Sequence, residues 1–163
     1  MPQKPHRGSR LPSAPKLCRH FDRTVLARCA RAGLDALEAE HKEIIVGGAH
    51  IACGVALDRC RQPHEPDANR WDYVFTVRGH DPDLADAIAV EVHHADAGEV
   101  SVMIAKKSWA SALLAQHCPT IRVRAWVWLA SSSGAILFTQ RHPDARRLAE
   151  AGVHFPKRKL ELP

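Results

Sequence analysis

The residues of this sequence best suited to chemistry are two carboxylates, Asp72 and Glu91, because each lies in a stretch that predicts a β-strand. A carboxylate within an apolar strand is unusual, since burying an ion without a partner costs free energy. Strand alternation places His93 on the same face as Glu91, with Val92 on the opposite face. Two carboxylates that lie close together repel, and Mg²⁺ or Mn²⁺ relieves that repulsion. The two acids therefore predict a site for a divalent cation.

Two consecutive predicted strands carry these acids. Residues 71–77 are dense in aromatic and β-branched side chains, and residues 87–93 are apolar enough on both faces to form a central strand. A turn is predicted between them over residues 79–83. If the strands pair as a hairpin, the start of the first lies beside the end of the second. Asp72 and Glu91 would then approach each other at one edge of the sheet.

A predicted helix after the second strand brings two lysines to the same region. Asp96 and Glu99 form a capping-box arrangement, and the apolar pattern that follows continues to about His117. Lys106 and Lys107 lie on this helix, and Lys107 is close to its buried stripe. A lysine side chain on that face can extend past the sheet towards the acids.

The rest of the chain predicts an α/β domain. Apolar residues at helical spacing predict a first helix, and later stretches alternate as strands or carry helix-boundary residues. These elements cover residues 17–41 (one helix, or two separated at Gly33), 49–60 (strand or short helix), 121–130 (strand), 135–139 (short strand) and 143–152 (short helix). Helices and strands mixed in one small domain predict a sheet with helices on its faces.

The order of these elements and the two acids together resemble the PD-(D/E)XK nuclease superfamily. The matching residues are Asp72 for the first acid and Glu91, Val92 and His93 for the acid–any–lysine triplet, and the resemblance covers about residues 20–130. It implies the restriction-endonuclease-like fold, an αβββαβ core with a central mixed sheet flanked by helices.

The sequence departs from the family pattern at two positions. Trp71 precedes the first acid where the family has proline, and His93 stands at the lysine position. In relatives the lysine can move to the following helix, where this chain has its two adjacent lysines. Some relatives also take an acid from the first helix, for which the candidates here are Glu38 and Glu40.

The resemblance implies metal-dependent phosphodiester hydrolysis of nucleic acid, as by a Mg²⁺-dependent endonuclease. Asp72 and Glu91, with a backbone carbonyl or water, would hold Mg²⁺ or Mn²⁺, which polarises a phosphodiester and lowers the pKa of an attacking water. Lys107, or alternatively Lys106, would place a positive charge near the reacting phosphate. His93 would orient the water or act as its base.

The positive charge of the chain is concentrated at its N-terminus. The net charge is +5, from 23 Lys and Arg against 18 Asp and Glu. Residues 1–16 contain four of these bases and no acid, and the remainder of the chain is almost neutral. The proline and serine content predicts a disordered basic tail over residues 1–16, followed by one domain over residues 17–163. Such a tail remains solvated or binds phosphates, which makes nucleic acid an expected partner.

The composition excludes two classes of protein. Hydrophobic residues make up 45% of the chain and charged residues 25%, which excludes a mainly disordered protein. No apolar run approaches the roughly 20 residues that a membrane span needs, so no membrane partner is expected.

The N-terminus lacks the apolar core of a signal peptide, which predicts a cytoplasmic location. The five cysteines include no CxxC pair and are then expected to be reduced.

Two other functions remain open from the sequence. Because the strand lysine is missing, the chain could be a catalytically inactive nuclease-like fold that binds nucleic acid or a protein. It could also be a small interaction protein whose basic tail folds on a partner. Cleavage of nucleic acid separates the nuclease from the inactive fold. Removal of residues 1–16 tests the interaction protein, since loss of all binding favours it and retained activity favours the enzyme.

Overall fold

The computed structural model describes residues 13–79, 81–131 and 134–163. Its strands are β1 Ala30–Ala32, β2 Ile45–Gly47, β3 Ile51–Ala56, β4 Tyr73–Val77, β5 Ala85–His93, β6 Ile121–Ala130, β7 His154–Lys157 and β8 Leu160–Leu162. Its α-helices are α1 Leu57–Arg61, α2 Val100–His117 and α3 Pro143–Glu150. Short 3-10 helices cover Lys16–Phe21, Ala27–Cys29, Ala39–His41 and Ala97–Glu99.

Six strands form a central mixed sheet in the order β1-β3-β4-β5-β6-β7. The neighbours from β1 to β5 are antiparallel, whereas β6 is parallel to β5 and β7 is parallel to β6. Helix α2 makes the crossover that a parallel β5–β6 pair requires. Strands β2 and β8 form a separate parallel pair. The predicted mixed α/β class with a central mixed sheet is confirmed.

The elements around the two acids agree closely with the sequence analysis. The two strands expected to carry the acids are present as β4 and β5, and they pair as an antiparallel hairpin. The alternating stretch 121–130 is β6, and the helix after β5 runs to His117. The ambiguous segment 49–60 contains both alternatives, since strand β3 leads directly into helix α1. Pro143 begins α3, and Gly152 follows its end with a φ of 70°.

The predicted first helix over residues 17–41 is wrong. The segment forms short 3-10 turns and strand β1, which pairs with β3 through Ala30–Val55 and Ala32–Cys53. Its apolar side chains Phe21 and Leu26 are buried all the same. The apolar pattern therefore predicted the burial of these side chains correctly but not their helical conformation, because strand pairing with a distant segment overrides local helix propensity. Among the described residues of 135–139 the structure has no strand either, only an isolated bridge between Ile136 and Ala95.

Four of the five cysteines are paired, so the expectation of reduced thiols is wrong for them. Cys18 is bonded to Cys53, and Cys29 is bonded to Cys60. Only Cys118 is free, and it is buried. The disulfides attach the irregular N-terminal segment to β3 and α1. Covalent links replace the helical packing that the sequence analysis expected there.

The core lies on both faces of the central sheet. On one face α2 packs its buried residues, among them Met103 and Leu114, against Val74 and Trp128. On the other face Tyr73 and Phe75 of β4 pack with residues of the β2–β8 pair. Alternate side chains of β4 therefore enter different cores, which accounts for the nearly complete burial of this strand.

The predicted disordered tail covers residues 1–16, and its residues 1–12 lie outside the described residues. Its last residue, Lys16, begins the first 3-10 helix. In the part of the chain that the structure describes, no helix combines the length and the hydropathy needed to cross a membrane.

Candidate functional site

The register of the β4–β5 hairpin brings the two predicted acids together. Tyr73 pairs with Val90, so the next positions outward, Asp72 and Glu91, oppose each other. The backbone N–H of Asp72 donates to Oε2 of Glu91 at 2.9 Å. In return, the N–H of Val92 donates to Oδ2 of Asp72 at 2.9 Å. Each carboxylate thus accepts a hydrogen bond from the backbone of the opposite strand.

Glu91 is fully buried and is bonded to a lysine. Its side chain has an exposed fraction of 0%, and Lys106 Nζ donates to its Oε1. Burial, and to a lesser extent the nearby Asp72 charge, raise the pKa of Glu91 to about 8, against the opposing effect of Lys106. Both oxygens of this buried carboxylate have a donor, which satisfies its hydrogen-bonding capacity in part.

Asp72 is half-buried and lines a cavity of about 220 Å³. Burial raises the pKa of Asp72, and the hydrogen bond from Val92 and the charge of Lys106 lower it in turn. The cavity, which we call the acidic cavity, is lined by Glu38, Glu40, His41, Ala56, Asp58, Arg59, Asp72, Tyr73 and Val92. Four of these residues are acids, and Asp72 joins the cavity to the buried Glu91 behind it.

Two arginines compensate part of the acidic lining. Arg59 lies 3.3 Å from Glu38, and Arg70 lies 2.8 Å from Asp58. Among the described residues no ion pair joins Asp72 to an arginine, and the positive charge that lowers its pKa most is that of Lys106. The Asp72–Glu91 pair therefore has two carboxylates against one ammonium group.

Only one of the two candidate lysines reaches the acids. Lys106 contacts Glu91, whereas Lys107 Nζ donates to the backbone carbonyl of Ala151 and lies 5.5 Å from the centroid of the Trp126 ring. Consecutive helical residues point about 100° apart, and here the two lysines extend to different partners. Lys107 was predicted to lie close to the buried stripe of the helix. In the structure, its hydrogen bond to Ala151 links α2 to the end of α3.

His93 lies between two glutamates. Its Nε2 is 2.9 Å from Oε2 of Glu99, and its Nδ1 is 3.9 Å from Oε1 of Glu91. Glu99 was predicted to form half of a capping box, but Asp96 makes the cap by accepting from the N–H of Gly98. Glu99 is therefore a site residue that sequence reasoning missed. Only the fold of the loop after β5 brings it back to His93.

Tyr73 and His41 explain how Glu38 and Glu40 reach the cavity. The Tyr73 hydroxyl accepts from the N–H of Glu38 at 3.3 Å and is hydrogen-bonded to His41 Nδ1 at 2.7 Å. These bonds hold the 3-10 turn Ala39–His41 over the start of β4. The two acids expected on a first helix thus line the cavity from a turn.

The carboxylates of Asp72 and Glu91 are oxygen donors of the kind that Mg²⁺ and Mn²⁺ prefer, but in this structure both oxygens of Glu91 already accept hydrogen bonds, from Lys106 and from the N–H of Asp72. Mg²⁺ keeps several waters and is often bound through one or two carboxylates. Burial is the main cause of the raised pKa of Glu91 and the Asp72 charge the second, and a bound cation would relieve the second of these. Over residues 13–79, 81–131 and 134–163, no group of three or more His, Cys, Asp or Glu side chains is arranged to hold a metal ion. The site therefore offers two protein ligands at most from this class.

Comparisons with known proteins add no assignment. No protein-family model, no curated protein and no solved structure matches this chain.

Proposed function

We propose that this chain is a metal-dependent nuclease of the PD-(D/E)XK type that hydrolyses phosphodiesters of nucleic acid. The observation that carries the proposal is the cluster of Asp72, Glu91 and Lys106, in which a fully buried carboxylate contacts both a lysine and the strand that bears a second carboxylate. Titratable groups with strongly shifted pKa values beside a cavity are typical of catalytic sites.

The topology supports a restriction-endonuclease-like core for this site. Strands β3, β4 and β5 are successive antiparallel neighbours, and α2 leads from β5 to the parallel strand β6. This order matches the βββαβ part of the core that the resemblance implies. The first helix of that core has no counterpart among the described residues of 17–41, where 3-10 turns and β1 stand instead.

Asp72 and Glu91 would hold Mg²⁺ or Mn²⁺, which when bound polarises a phosphodiester and lowers the pKa of a water molecule. Lys106 keeps an ammonium group against Glu91, where it offsets negative charge of the acids and of an approaching phosphate. Its position on α2 compensates for the histidine that occupies the family's strand-lysine position.

His93 is suited to accept a proton from the attacking water. Because the Glu99 carboxylate accepts the hydrogen bond at Nε2, this nitrogen carries the hydrogen of the neutral ring. Nδ1 then retains its lone pair on the side of Glu91, where it can accept a proton. About a third of the His93 side chain is exposed, which leaves it accessible to water.

A cleavage assay with matched variants tests this proposal. We expect the purified chain to cleave DNA or RNA with Mg²⁺ or Mn²⁺ and not with EDTA. Asp72→Asn, Glu91→Gln and Lys106→Met should each lower the rate by about 100-fold or more, as losing a group that stabilises transition-state charge does. Lys107→Met is the matched control, because this neighbouring lysine contacts Ala151 and not the acids.

Circular dichroism should show folded protein for each variant, and calorimetric titration with Mn²⁺ should show weaker binding by Asp72→Asn. Undiminished cleavage by Glu91→Gln, or an equal loss in Lys107→Met, would contradict the proposed site.

The second candidate function is a catalytically inactive nuclease-like fold that binds nucleic acid or a protein. Two observations favour it: His93 stands at the lysine position, and both oxygens of Glu91 already have donors. This function predicts salt-sensitive binding without cleavage. Asp72→Asn should then leave the affinity unchanged.

The predicted cytoplasmic location stays a prediction, and the two disulfides weigh against it. Structural disulfides form and persist in oxidising compartments and are rare in the cytoplasm. We therefore propose an oxidising environment for the folded chain. Recovery of the paired cysteines from cells in reduced form would contradict this.

A further inference from the structure

A second cavity, of about 160 Å³, adjoins the acidic cavity and has the opposite charge. The two cavities share Ala56 and Arg59 in their walls. The second, which we call the basic pocket, is lined by Arg28, Cys29, Arg31, Asp35, Ala36, Ala56, Arg59 and Cys60. Three arginines and one acid line it, and because Arg59 is also paired with Glu38 of the acidic cavity, the positive charge of the pocket beside the proposed catalytic site comes mainly from Arg28 and Arg31.

The arginines come from three different elements. Arg28 belongs to the 3-10 helix Ala27–Cys29, Arg31 to β1 and Arg59 to α1. Arg31 Nη1 donates to the carbonyls of Arg28 and Ala30 at 2.8 and 2.9 Å, which fixes the direction of its guanidinium group. A guanidinium already held by backbone carbonyls loses less conformational entropy when it binds an anion.

A disulfide holds these elements together at the pocket. Cys29 directly follows Arg28, Cys60 directly follows Arg59, and the two cysteines are bonded to each other. The covalent link therefore fixes the separation of two arginines that lie about 30 residues apart in sequence. The Arg28 and Arg59 side chains remain exposed, so they are accessible to a ligand from solution.

We propose that the basic pocket binds a backbone phosphate of a polynucleotide whose neighbouring phosphodiester lies in the acidic cavity. The inference rests on the proposed function, because the acidic cavity supplies the second phosphate position. Guanidinium groups bind phosphate through paired, charge-assisted hydrogen bonds. Arg59, common to both walls, lies where the chain of phosphates passes from one cavity to the other. The substrate is thereby a polynucleotide rather than a free nucleotide or inorganic phosphate.

Fluorescence anisotropy in EDTA tests the pocket without cleavage. The probe is a labelled single-stranded DNA of about 20 nucleotides, enough to cover a single-strand binding groove. We expect Arg28→Ala/Arg31→Ala to bind it at least about tenfold more weakly, the effect of losing charge-assisted hydrogen bonds. The slope of log K against log salt should fall by about 1 to 1.5, at about 0.7 per lost phosphate contact.

Arg122→Ala/Arg124→Ala is the matched control, because it removes the same charge at the opposite end of the β5–β6 pair, where both arginines contact Asp86. This variant should keep the wild-type affinity to within about twofold, as expected for distant surface charges. Equal losses in the two variants would show a nonspecific charge effect and overturn the proposal. So would a wild-type chain that does not bind the DNA, or one from which inorganic phosphate displaces it at equal concentration.

Cleavage with Mn²⁺ separates this inference from the proposed function. If wild-type protein cleaves and Arg28→Ala/Arg31→Ala has an unchanged KM, the pocket is overturned and the nuclease stands. If the variant loses affinity and no preparation cleaves, the basic pocket stands as a phosphate site and the catalytic proposal fails. An increased KM with an unchanged kcat supports both.

Discussion

At the scale of single residues, the central feature is the buried ion pair of Glu91 and Lys106. Glu91 is fully buried and Lys106 has an exposed side-chain fraction of only 15%. Such a pair is weak evidence for stability, since desolvating both charges offsets much of their attraction. Breaking it by removing one partner is nevertheless expensive, because an uncompensated charge then remains buried. The cluster is therefore better explained by a site than by a need for stability.

A double-mutant cycle on this pair checks that view. At about pH 9, above the pKa of Glu91, we expect Lys106→Met alone to destabilise the fold by about 3–5 kcal/mol, the cost of leaving a buried charged partner unpaired. Glu91→Gln/Lys106→Met should recover most of that loss, because neither charge remains. Urea unfolding measures both. A double variant as unstable as the sum of the single variants would contradict a direct interaction.

The raised pKa of Glu91 also predicts how stability depends on pH. Between the ordinary value of 4.5 and about 8, the folded chain retains a proton on Glu91 that the unfolded chain has released. The free energy of unfolding should therefore fall as pH rises through this window, and the raised pKa of Asp72 acts in the same direction. Urea unfolding in EDTA at pH 5 and pH 8.5, about the two ends of the window, tests this.

Glu91→Gln should flatten that dependence. Added Mg²⁺ should stabilise the wild-type chain more at the upper end of the window, because a cation favours the ionised carboxylates. The opposite result would be a free energy of unfolding that rises with pH across this window in the wild type and is lower in Glu91→Gln. That result would show that Lys106 keeps Glu91 ionised throughout.

At the scale of elements, close contact between β3 and β4 determines where the β4–β5 hairpin lies. Gly54 pairs with Phe75 across these strands. A Cβ atom on Gly54 would lie 2.8 Å from the buried Phe75 ring and 3.1 Å from the carbonyl of Gly33. The strand can therefore approach its neighbour only with glycine at this position.

We expect Gly54→Ala to destabilise the fold by about 1–3 kcal/mol through overpacking. Gly79→Ala is the control, since a Cβ atom there meets nothing within 4 Å. Thermal unfolding followed by circular dichroism compares the two. Equal midpoints would show that Phe75 moves without cost.

At the scale of the whole molecule, two disulfides attach the irregular N-terminal segment to the sheet. They close sequence separations of 35 and 31 residues. In the chain-entropy account, loops of this size contribute about 3–4 kcal/mol each by restricting the unfolded chain. The segment has little regular structure of its own, so these links carry much of its attachment.

Counting thiols checks the pairing. Iodoacetamide should modify one cysteine in the unreduced, unfolded chain and five after reduction. In the native chain Cys118 should react slowly, because burial raises the pKa of its thiol to about 11. Mass spectrometry measures each count. Rapid modification of three or more cysteines without reductant would contradict the disulfides.

Reduction should also lower the urea midpoint of unfolding, and Cys118→Ala should leave the response to reduction unchanged. An equal midpoint with and without reductant would show that the N-terminal segment is held by packing alone.

The sequence by itself determined the strands that carry the acids, because β4, β5 and β6 bury side chains in patterns that local residue types already express. It also predicted that Asp72 and Glu91 approach each other if these strands pair as a hairpin, and the register of the folded hairpin places them opposite each other. The rotation of α2 against the sheet decides that Lys106, and not Lys107, reaches Glu91. The same rotation brings Glu99 into contact with His93. Only the tertiary structure decides that rotation, because it depends on packing between segments far apart in the chain.

The conformation of residues 17–41 also depends on contacts with distant segments. Their apolar spacing is compatible with a helix, but pairing with β3 and bonds from Cys18 and Cys29 to distant cysteines hold them as turns and a short strand. Partners more than 20 residues away leave no signal in a local pattern. The basic pocket arises from the same long-range links, and for that reason it could be found only in the folded chain.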